Sequence, residues 1–413
     1  MPGQEILFLA HRVPFPPNRG DKIRSHHVLR HLAALAPVHV ASFADDAADL
    51  AEAGNLAQVA ASHCLIRRSK PLPLAGLEAV VTGKPISLTA FDSPAIRDYV
   101  ARILRERPIG AIYVFSGQMG QYVPANFAGR VVFDCVDVDS AKFEAYAAAG
   151  HLPMRWVNAR EGRKLGMEEA RLAARSDVTL LVSDEEAALF RARLSPELAV
   201  TREVRALRNG IDADFFDRQL VEPAQDMRAC PGPRLIFTGQ MDYAPNIAAA
   251  RRAIERLLPV IRQVHPGASF HVVGRNPPAD LLACHGKGGA HVWGGVPDIR
   301  EWLAAADLAL VPLEIARGVQ NKVLEAMAMG LPAVLSDGAA TGIGGVNGLH
   351  YLAAMDDAAL VQGCLSLLER SEQAAEMGRA ARRFVIDELS WPATLAPLAA
   401  MLGLEPAAAR HAA

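Results

Sequence analysis

The sequence has few of the features that would place it in a specialised class. Only five of its 413 residues are cysteine, and no two of them have C-x-x-C spacing. No run of about 18 apolar residues occurs, which argues against a membrane-spanning helix. The formal net charge is −2, which argues against nucleic-acid binding. We therefore expect a globular protein with reduced cysteines and a cytoplasmic location.

Sequence motifs for several common activities are also absent. There is no G-x-S-x-G elbow and no G-x-x-x-x-G-K-[ST] loop, so hydrolase and P-loop interpretations are weak. The chain enters a strand-like run at Ile6 without a basic segment before it, so no signal peptide is expected. What remains is a long chain, 51% hydrophobic, whose length favours two domains.

Short apolar strands alternate with helical stretches along both halves of the chain. This alternation predicts an α/β protein with two doubly wound, mostly parallel sheets. A stretch rich in Pro, Gln and charge suggests a domain boundary. The predicted domains are residues 1–217, a linker at 218–233, a second domain at 234–388, and a last helical segment at 389–413 that packs back on the first domain.

The stretch from Val311 to Ser336 has the richest chemistry. It predicts a strand, a loop, a helix that begins near Val319 or Gln320, and a second strand; Gly330 and Pro332 are expected to end the helix. The free N–H groups at a helix start suit a phosphate.

Three charged residues of this stretch are candidate ligand-binding residues. Arg317 and Lys322 would neutralise a diphosphate, and Glu325 would accept hydrogen bonds from two sugar hydroxyls. The alternative is that these are ordinary surface charges, with Glu325 favoured by the helix dipole alone.

Two loops between a strand and a helix are further candidates, because open α/β sheets bind ligands at the carboxyl ends of their strands. Gly20 ends the loop before the first helix, which is expected to open at Asp21, and Gly239 begins the corresponding loop of the second half. In that second loop Asp242 and Asn246 would also face a ligand, with Asn246 as donor or helix cap. An ordinary turn explains the same residues equally well.

The sequence Asp134-x-x-Asp137-x-Asp139 allows three roles. Paired carboxylates can hold Mg²⁺ or Mn²⁺ against a diphosphate, and a carboxylate at a strand end can act as a general base. A cap for the helix expected near Ser140 is the structural alternative.

Taken together, these stretches resemble glycosyltransferase family 4. The resemblance rests on the runs 204–216, 235–248, 270–274 and 311–336, in that order and spacing. Residues 7–35 and the strings MDYAPN and GVQNKVLEAMAMG are similar to the branch of sugar transferases associated with PEP-CTERM/exosortase exopolysaccharide systems.

The resemblance implies a GT-B fold, in which two Rossmann-like domains face each other across a cleft. It implies a retaining transfer from a nucleoside-diphosphate sugar to a glycan or polyprenyl-linked acceptor, in exopolysaccharide biosynthesis. It also implies that no bound metal and no cofactor are needed, which favours base or cap for Asp137 and Asp139. We expect Asp137, nearer the strand end, to be the base and Asp139 to be the cap.

The chain departs from the family pattern at the diphosphate. Glu325 corresponds to the second Glu of the E-x7-E motif, but the first position holds Arg317. The usual Arg and Lys are missing from the Gly239–Asn246 loop. The resemblance therefore implies that Arg317 and Lys322 replace that charge. Together with Asp137, the candidate base, they are the expected catalytic residues.

Two other functions remain open at this stage. A nucleotide-sugar epimerase would share the architecture, and the substitution at Arg317 allows a catalytically silent glycan-binding protein. Basic residues within a helix predicted around residues 155–175 also suggest contact with the inner face of the cytoplasmic membrane. A solvated helix, balanced by Glu161, Glu168 and Glu169, is the alternative.

Overall fold

A computed structural model describes residues 4–314 and 319–404, and these residues form two compact units. The first contains residues 4–209 and 394–404, and the second contains residues 210–393. Within the described ranges, no helix has both the length and the apolar character needed to cross a bilayer.

The first unit is built on seven parallel strands. Its elements in chain order are β1 Glu5–Ala10, α1 Gly20–Leu35, β2 Val38–Ala44, α2 Ala47–Ala51, α3 Ala53–Val59, β3 Ser62–Arg67, α4 Leu72–Thr82, α5 Ile86–Ala90, α6 Pro94–Glu106, β4 Ile109–Phe115, a 3₁₀ turn Gly117–Tyr122, β5 Arg130–Val136, α7 Asp139–Ala149, α8 Met154–Arg175, β6 Val178–Leu181, α9 Asp184–Arg193, α10 Pro196–Thr201 and β7 Glu203–Ala206. The strand order is β3-β2-β1-β4-β5-β6-β7.

The second unit repeats the scheme with six parallel strands. Its elements are a 3₁₀ turn Arg218–Leu220, α11 Gln225–Arg228, β8 Arg234–Thr238, α12 Ala244–Arg252, a π-helical stretch Ala253–Leu257, α13 Leu258–Val264, β9 Ser269–Val273, α14 Ala279–Leu282, β10 Ala290–Gly294, α15 Ile299–Ala305, β11 Leu308–Val311, α16 Asn321–Ala328, β12 Ala333–Ser336, α17 Asp337–Ala340, β13 Leu352–Ala354, α18 Asp357–Glu369, α19 Ser371–Phe384 and a π-helical stretch Val385–Leu389. The strand order is β10-β9-β8-β11-β12-β13.

Two short helices follow, α20 Trp391–Leu395 and α21 Leu398–Met401, and α21 lies against α1 of the first unit. The predicted pair of doubly wound parallel sheets is therefore confirmed. Both strand orders reverse direction next to the first strand, between β1 and β4 and between β8 and β11. In such sheets the carboxyl ends of the strands at the reversal form the ligand-binding edge.

The chain divides at a different position from the one that composition indicated. The expected linker, 218–233, lies inside the second unit, where the amide of Ala224 donates to the carbonyl of Glu301 at 2.9 Å and Met227 is fully buried. The Pro and Gln content of this segment favours a linker, although Ala224 and Met227 are packed into the second unit. The division falls instead between Asn209 and Gly210.

A buried ion pair lies at the centre of the first unit. Arg24, on α1, is 1% exposed, and its Nε donates to Asp134 of β5 at 2.9 Å. Tyr113 of β4 donates to the same carboxylate at 2.6 Å. The guanidinium also donates to the carbonyl of Leu207 at 2.8 Å and to Oδ1 of Asn209 at 2.9 Å. One side chain thus joins α1, β5 and the segment that leaves the sheet.

We expect Asp134→Asn to lower the free energy of unfolding by about 3–5 kcal/mol, because it leaves the charge of Arg24 buried without a counter-charge. The control is Glu203→Gln, which breaks the surface pair of Glu203 with Arg205 and should cost less than about 1 kcal/mol. Urea unfolding of both variants measures the difference. Equal costs would contradict a stabilising role for the buried pair.

Candidate functional site

The helix predicted in the richest stretch forms close to the expected position. Helix α16 begins at Asn321 after the N-cap Gln320, and Val323, Leu324 and Met327 are buried. Gly330 has a φ of 66°, the left-handed value expected one residue past the C-cap. Arg317 lies outside the described residues.

Lys322 is held by Asn246, near the start of α12 just after the loop that follows β8. Its Nζ donates to Oδ1 of Asn246 at 2.7 Å and lies 5.2 Å from the centre of the Phe237 ring. Burial lowers the pKa of Lys322 to about 8, although the charge of Glu325 acts in the opposite direction. The ammonium therefore lies in a partly desolvated position, where its charge is screened less than at an open surface.

The shape of this loop depends on Gly239. Its φ is 151°, and a Cβ at this position would lie 2.9 Å from Nδ2 of Asn246 and 3.2 Å from Cε of Lys322. Asn246 is buried, and its Nδ2 donates to the carbonyl of Gln240 at 2.9 Å. A side chain at position 239 would therefore displace Asn246 and Lys322.

Glu325 lies one helical turn after Lys322 and is half-buried. Burial raises the pKa of its carboxyl group to about 7, and Lys322 opposes this shift. Within ranges 4–314 and 319–404, no hydrogen bond or ion pair to this carboxylate is found. Its oxygens are available to accept hydrogen bonds from a ligand.

These groups line one pocket of about 500 Å³ at the carboxyl ends of β8 and β9. Of the predicted residues, Gly239, Asn246, Lys322 and Glu325 are brought together there. Asp242 is not among the lining residues; its carboxylate instead accepts from Nδ2 of Asn276 at 2.9 Å.

The sequence analysis missed one cation of the pocket. Arg275 is exposed and lines the pocket two residues after β9 ends at Val273. Strand β9 is the neighbour of β8, so its carboxyl end reaches the same edge of the sheet. The run VVGRN, in which a buried strand ends at Val273 and Arg275 follows, is the sequence signal that could have identified this arginine.

Gly20 lies in the first unit, as the first residue of α1. A Cβ there would have no atom within 4 Å, so close packing does not require glycine at this position. The nearby Arg19 pairs with Asp21 at 3.0 Å and with Asp45 at 3.3 Å. The positive charge at this helix start is therefore already partly neutralised.

Asp137 lies at the carboxyl end of β5, next to the strand reversal in the first sheet. It is exposed and follows Val136, whose φ is 67°. Ser116, directly after β4, has a φ of 77°. A β-branched residue in the left-handed region is strained, and such strain is concentrated at functional sites. The backbone is thus strained at Ser116, directly after β4, and at Val136, the last residue of β5 and the one before Asp137.

The prediction that Asp139 caps the next helix is wrong. Asp139 is the first residue of α7, the N-cap is Val138, and no side chain of the cap bonds the helix start. Glu169 of α8 has that role instead, because its carboxylate accepts from the amide of Ser140 at 2.9 Å. Burial raises the pKa of the Asp139 carboxyl group.

Asp134 and Asp137 lie in different surroundings. Asp134 is fully buried and bonded to Arg24 and Tyr113, whereas Asp137 is exposed. Across the part of the chain that the structure describes, no group of three or more His, Cys, Asp or Glu side chains is arranged to hold a metal ion.

Comparison with known proteins finds a family model that matches part of the chain. Residues 232–370, which include most of the pocket, match the family model described as glycosyl transferases group 1. No curated protein matches the chain by sequence.

Several solved structures share the whole fold. One is the Anabaena protein Alr3699/HepE in complex with UDP and glucose, with a TM-score of 0.58, 15% identity, and coverage of 97% of this chain and 99% of that one. A second is sucrose-phosphate synthase from Thermosynechococcus elongatus, with a TM-score of 0.56, 18% identity, and coverage of 99% and 100%.

A third is WaaG, a glycosyltransferase involved in lipopolysaccharide biosynthesis, with a TM-score of 0.54, 19% identity, and coverage of 96% and 100%. At these identities the similarity shows the fold alone. The fold is GT-B, as predicted.

The proximity of Lys322 and Glu325 predicts coupled titration. We expect Glu325→Gln to lower the pKa of Lys322 further below about 8, because the carboxylate charge that favours the ammonium is removed while burial is kept. Carbon NMR of the lysine Cε, assigned with Lys322→Arg, measures the shift. An unchanged Lys322 titration in Glu325→Gln would contradict an interaction between the two groups.

Proposed function

We propose that this chain is a glycosyltransferase that moves a sugar from a nucleoside-diphosphate sugar to a glycan or polyprenyl-linked acceptor, with retention of configuration, in exopolysaccharide biosynthesis. The observation that carries the proposal is the pocket of the second unit. It combines a partly desolvated ammonium, a carboxylate with free acceptor oxygens, and a helix start. All five cysteines are free, which supports the proposed cytoplasmic location.

The cations fit the chemistry of the leaving group. In glycosyl transfer the bond between the anomeric carbon and a diphosphate oxygen breaks, and the diphosphate gains negative charge. Lys322, held at 2.7 Å by Asn246, and the N–H groups at the start of α16 would stabilise that charge without reorganising. Arg275 adds a third positive group at the rim. Arg317, which the sequence predicts to neutralise the diphosphate, is also part of the proposed site.

Glu325 fits the nucleoside part of the donor. Above its pKa of about 7, the carboxyl group of Glu325 is ionised and only accepts hydrogen bonds, so it pairs well with the two adjacent hydroxyl groups of a ribose. We therefore assign Glu325 to the ribose and Lys322 to the diphosphate, with Gly239 letting the backbone approach the donor.

The comparisons support a uridine donor as the first to test. The family match covers residues 232–370, and the Anabaena neighbour was determined with UDP and with UDP-glucose. On the acceptor side, we propose that Asp137 accepts the proton that leaves the attacking hydroxyl group.

Donor turnover tests this function. Thermal shift against UDP, GDP, ADP and dTDP identifies the base, and release of nucleoside diphosphate from the matching sugar is then followed with free and polyprenyl-linked sugars. Release that depends on acceptor and survives EDTA is expected, because protein cations neutralise the diphosphate. Sugar interconversion without acceptor would indicate an epimerase, and binding without turnover a silent binding protein; either result overturns the proposal.

Paired variants separate the two donor contacts. Glu325→Gln should weaken uridine and UDP alike, by about 1–3 kcal/mol, because a charged hydrogen-bond partner of the ribose is lost. Lys322→Ala should weaken UDP more than uridine, since its partner is the diphosphate. Calorimetry measures both ligands, with the exposed Lys287→Ala as control. Equal losses of uridine and UDP in Lys322→Ala would remove the diphosphate assignment.

Asp137→Asn should keep UDP affinity and lose turnover, because the amide cannot accept the proton of the attacking hydroxyl group. Asp139→Asn is the matched control, with the same substitution two residues along the chain, and should keep most of both. Rates of UDP release at saturating donor distinguish them. Full turnover in Asp137→Asn would exclude this residue as the base.

A further inference from the structure

The outer face of α8 carries a regular stripe of aromatic and basic side chains. Trp156, Arg160, Arg163, Met167 and Arg171 recur every three or four residues, and Trp156 is 76% exposed. Side chains at this spacing lie on one face of a helix. Basic and aromatic side chains on one helix face are typical of helices that lie on a membrane surface.

Two of the three acidic residues of the same helix face inward. Glu161 is 2% exposed, and its carboxylate accepts from the amides of Ile86 and Ser87 at 2.7 and 2.8 Å, at the start of α5. Glu169 is buried and caps α7 through Ser140. Two of the three acids that would balance a solvated helix therefore do not reach the surface, and the third, Glu168, pairs with Arg171. The exposed face of α8 is net basic.

An apolar surface lies beside this stripe. Helix α4 exposes five large apolar side chains, which are Leu72, Leu74, Leu77, Val80 and Val81. Its end joins α8 directly, since the guanidinium of Arg160 donates to the carbonyls of Ala79 at 2.6 Å and Lys84 at 3.1 Å. The α4–α8 face is defined here as the exposed side chains of Val80, Val81, Lys84, Arg155, Trp156 and Arg163.

We propose that the α4–α8 face binds the surface of an anionic phospholipid bilayer. Phosphate headgroups would meet the basic side chains, while Trp156 and the apolar side chains of α4 enter the boundary between headgroups and acyl chains. Exposed apolar side chains grouped along one helix are typical of an interaction site.

The basic charge of the α4–α8 face favours an anionic bilayer over a second copy of the chain as its partner. A symmetric dimer through this face would place Arg155 and Arg163 close to the same residues of the other copy, and like charges in contact are unfavourable. A nucleic acid would leave Val80 and Val81 without an apolar partner. A bilayer offers negative charge and apolar surface together. Lipid binding by this face does not depend on the proposed sugar transfer.

Co-sedimentation of the whole chain with lipid vesicles, without any nucleotide sugar, tests the proposal. Vesicles of phosphatidylcholine with phosphatidylglycerol should bind the protein at low salt and release it at high salt. Arg155→Glu/Arg163→Glu should lower the partition coefficient about tenfold or more. The matched control, Arg30→Glu/Arg228→Glu, has the same charge change at exposed arginines elsewhere and should bind nearly as well as the original chain.

A second variant tests the apolar part. Trp156→Ala should lower binding several-fold and remove the blue shift of tryptophan fluorescence that vesicles induce. Unfolding midpoints equal to that of the original chain show that each variant is folded. The proposal is overturned if the Arg155/Arg163 double variant binds like its control, if pure phosphatidylcholine binds the original chain equally well, or if the substitutions abolish a dimer and leave vesicle binding unchanged.

Discussion

The buried contact between Arg24 and Asp134 determines how the first unit is assembled. A guanidinium that is almost completely removed from water must find acceptors for its donors, and here they come from the middle of the sheet and from the chain after β7. The arrangement fixes α1 over β5 and ties down the segment at Leu207 and Asn209. It also takes Asp134 out of reach of a ligand, which leaves Asp137 as the exposed carboxylate of that strand end.

The fold could be predicted from the sequence because its determinants are local. Apolar runs such as Ile6–Ala10 become fully buried strands, and Gly330 ends α16 with the left-handed backbone that its position required. The pocket residues Gly239 and Asn246 were identified for the same reason, since a loop after a first strand must lie at the carboxyl edge of a parallel sheet.

The errors arose where a side chain has a distant partner. Nothing near Glu161 or Glu169 in the sequence shows that their carboxylates cap α5 and α7, so the sequence leaves open a solvated helix balanced by these charges. The same contacts explain why Asp139 is not a cap. Met227 was hidden in a polar stretch, although its burial in the core places residues 218–233 inside the second unit. Tertiary contacts of this kind leave no periodic pattern in the sequence.

The second unit is continuous in sequence, whereas the first is completed by the chain's return at residues 394–404. The two ends of the second unit also meet. The amide of Ile211 donates to the carbonyl of Leu389 at 2.8 Å, and the amide of Trp391 donates to the carbonyl of Ile211 at 3.1 Å. In topological terms the second unit is an insertion with adjacent ends. Exchanging it between related chains therefore needs only two junctions, one near Gly210 and one near Ala393, and leaves the rest of the first unit unchanged.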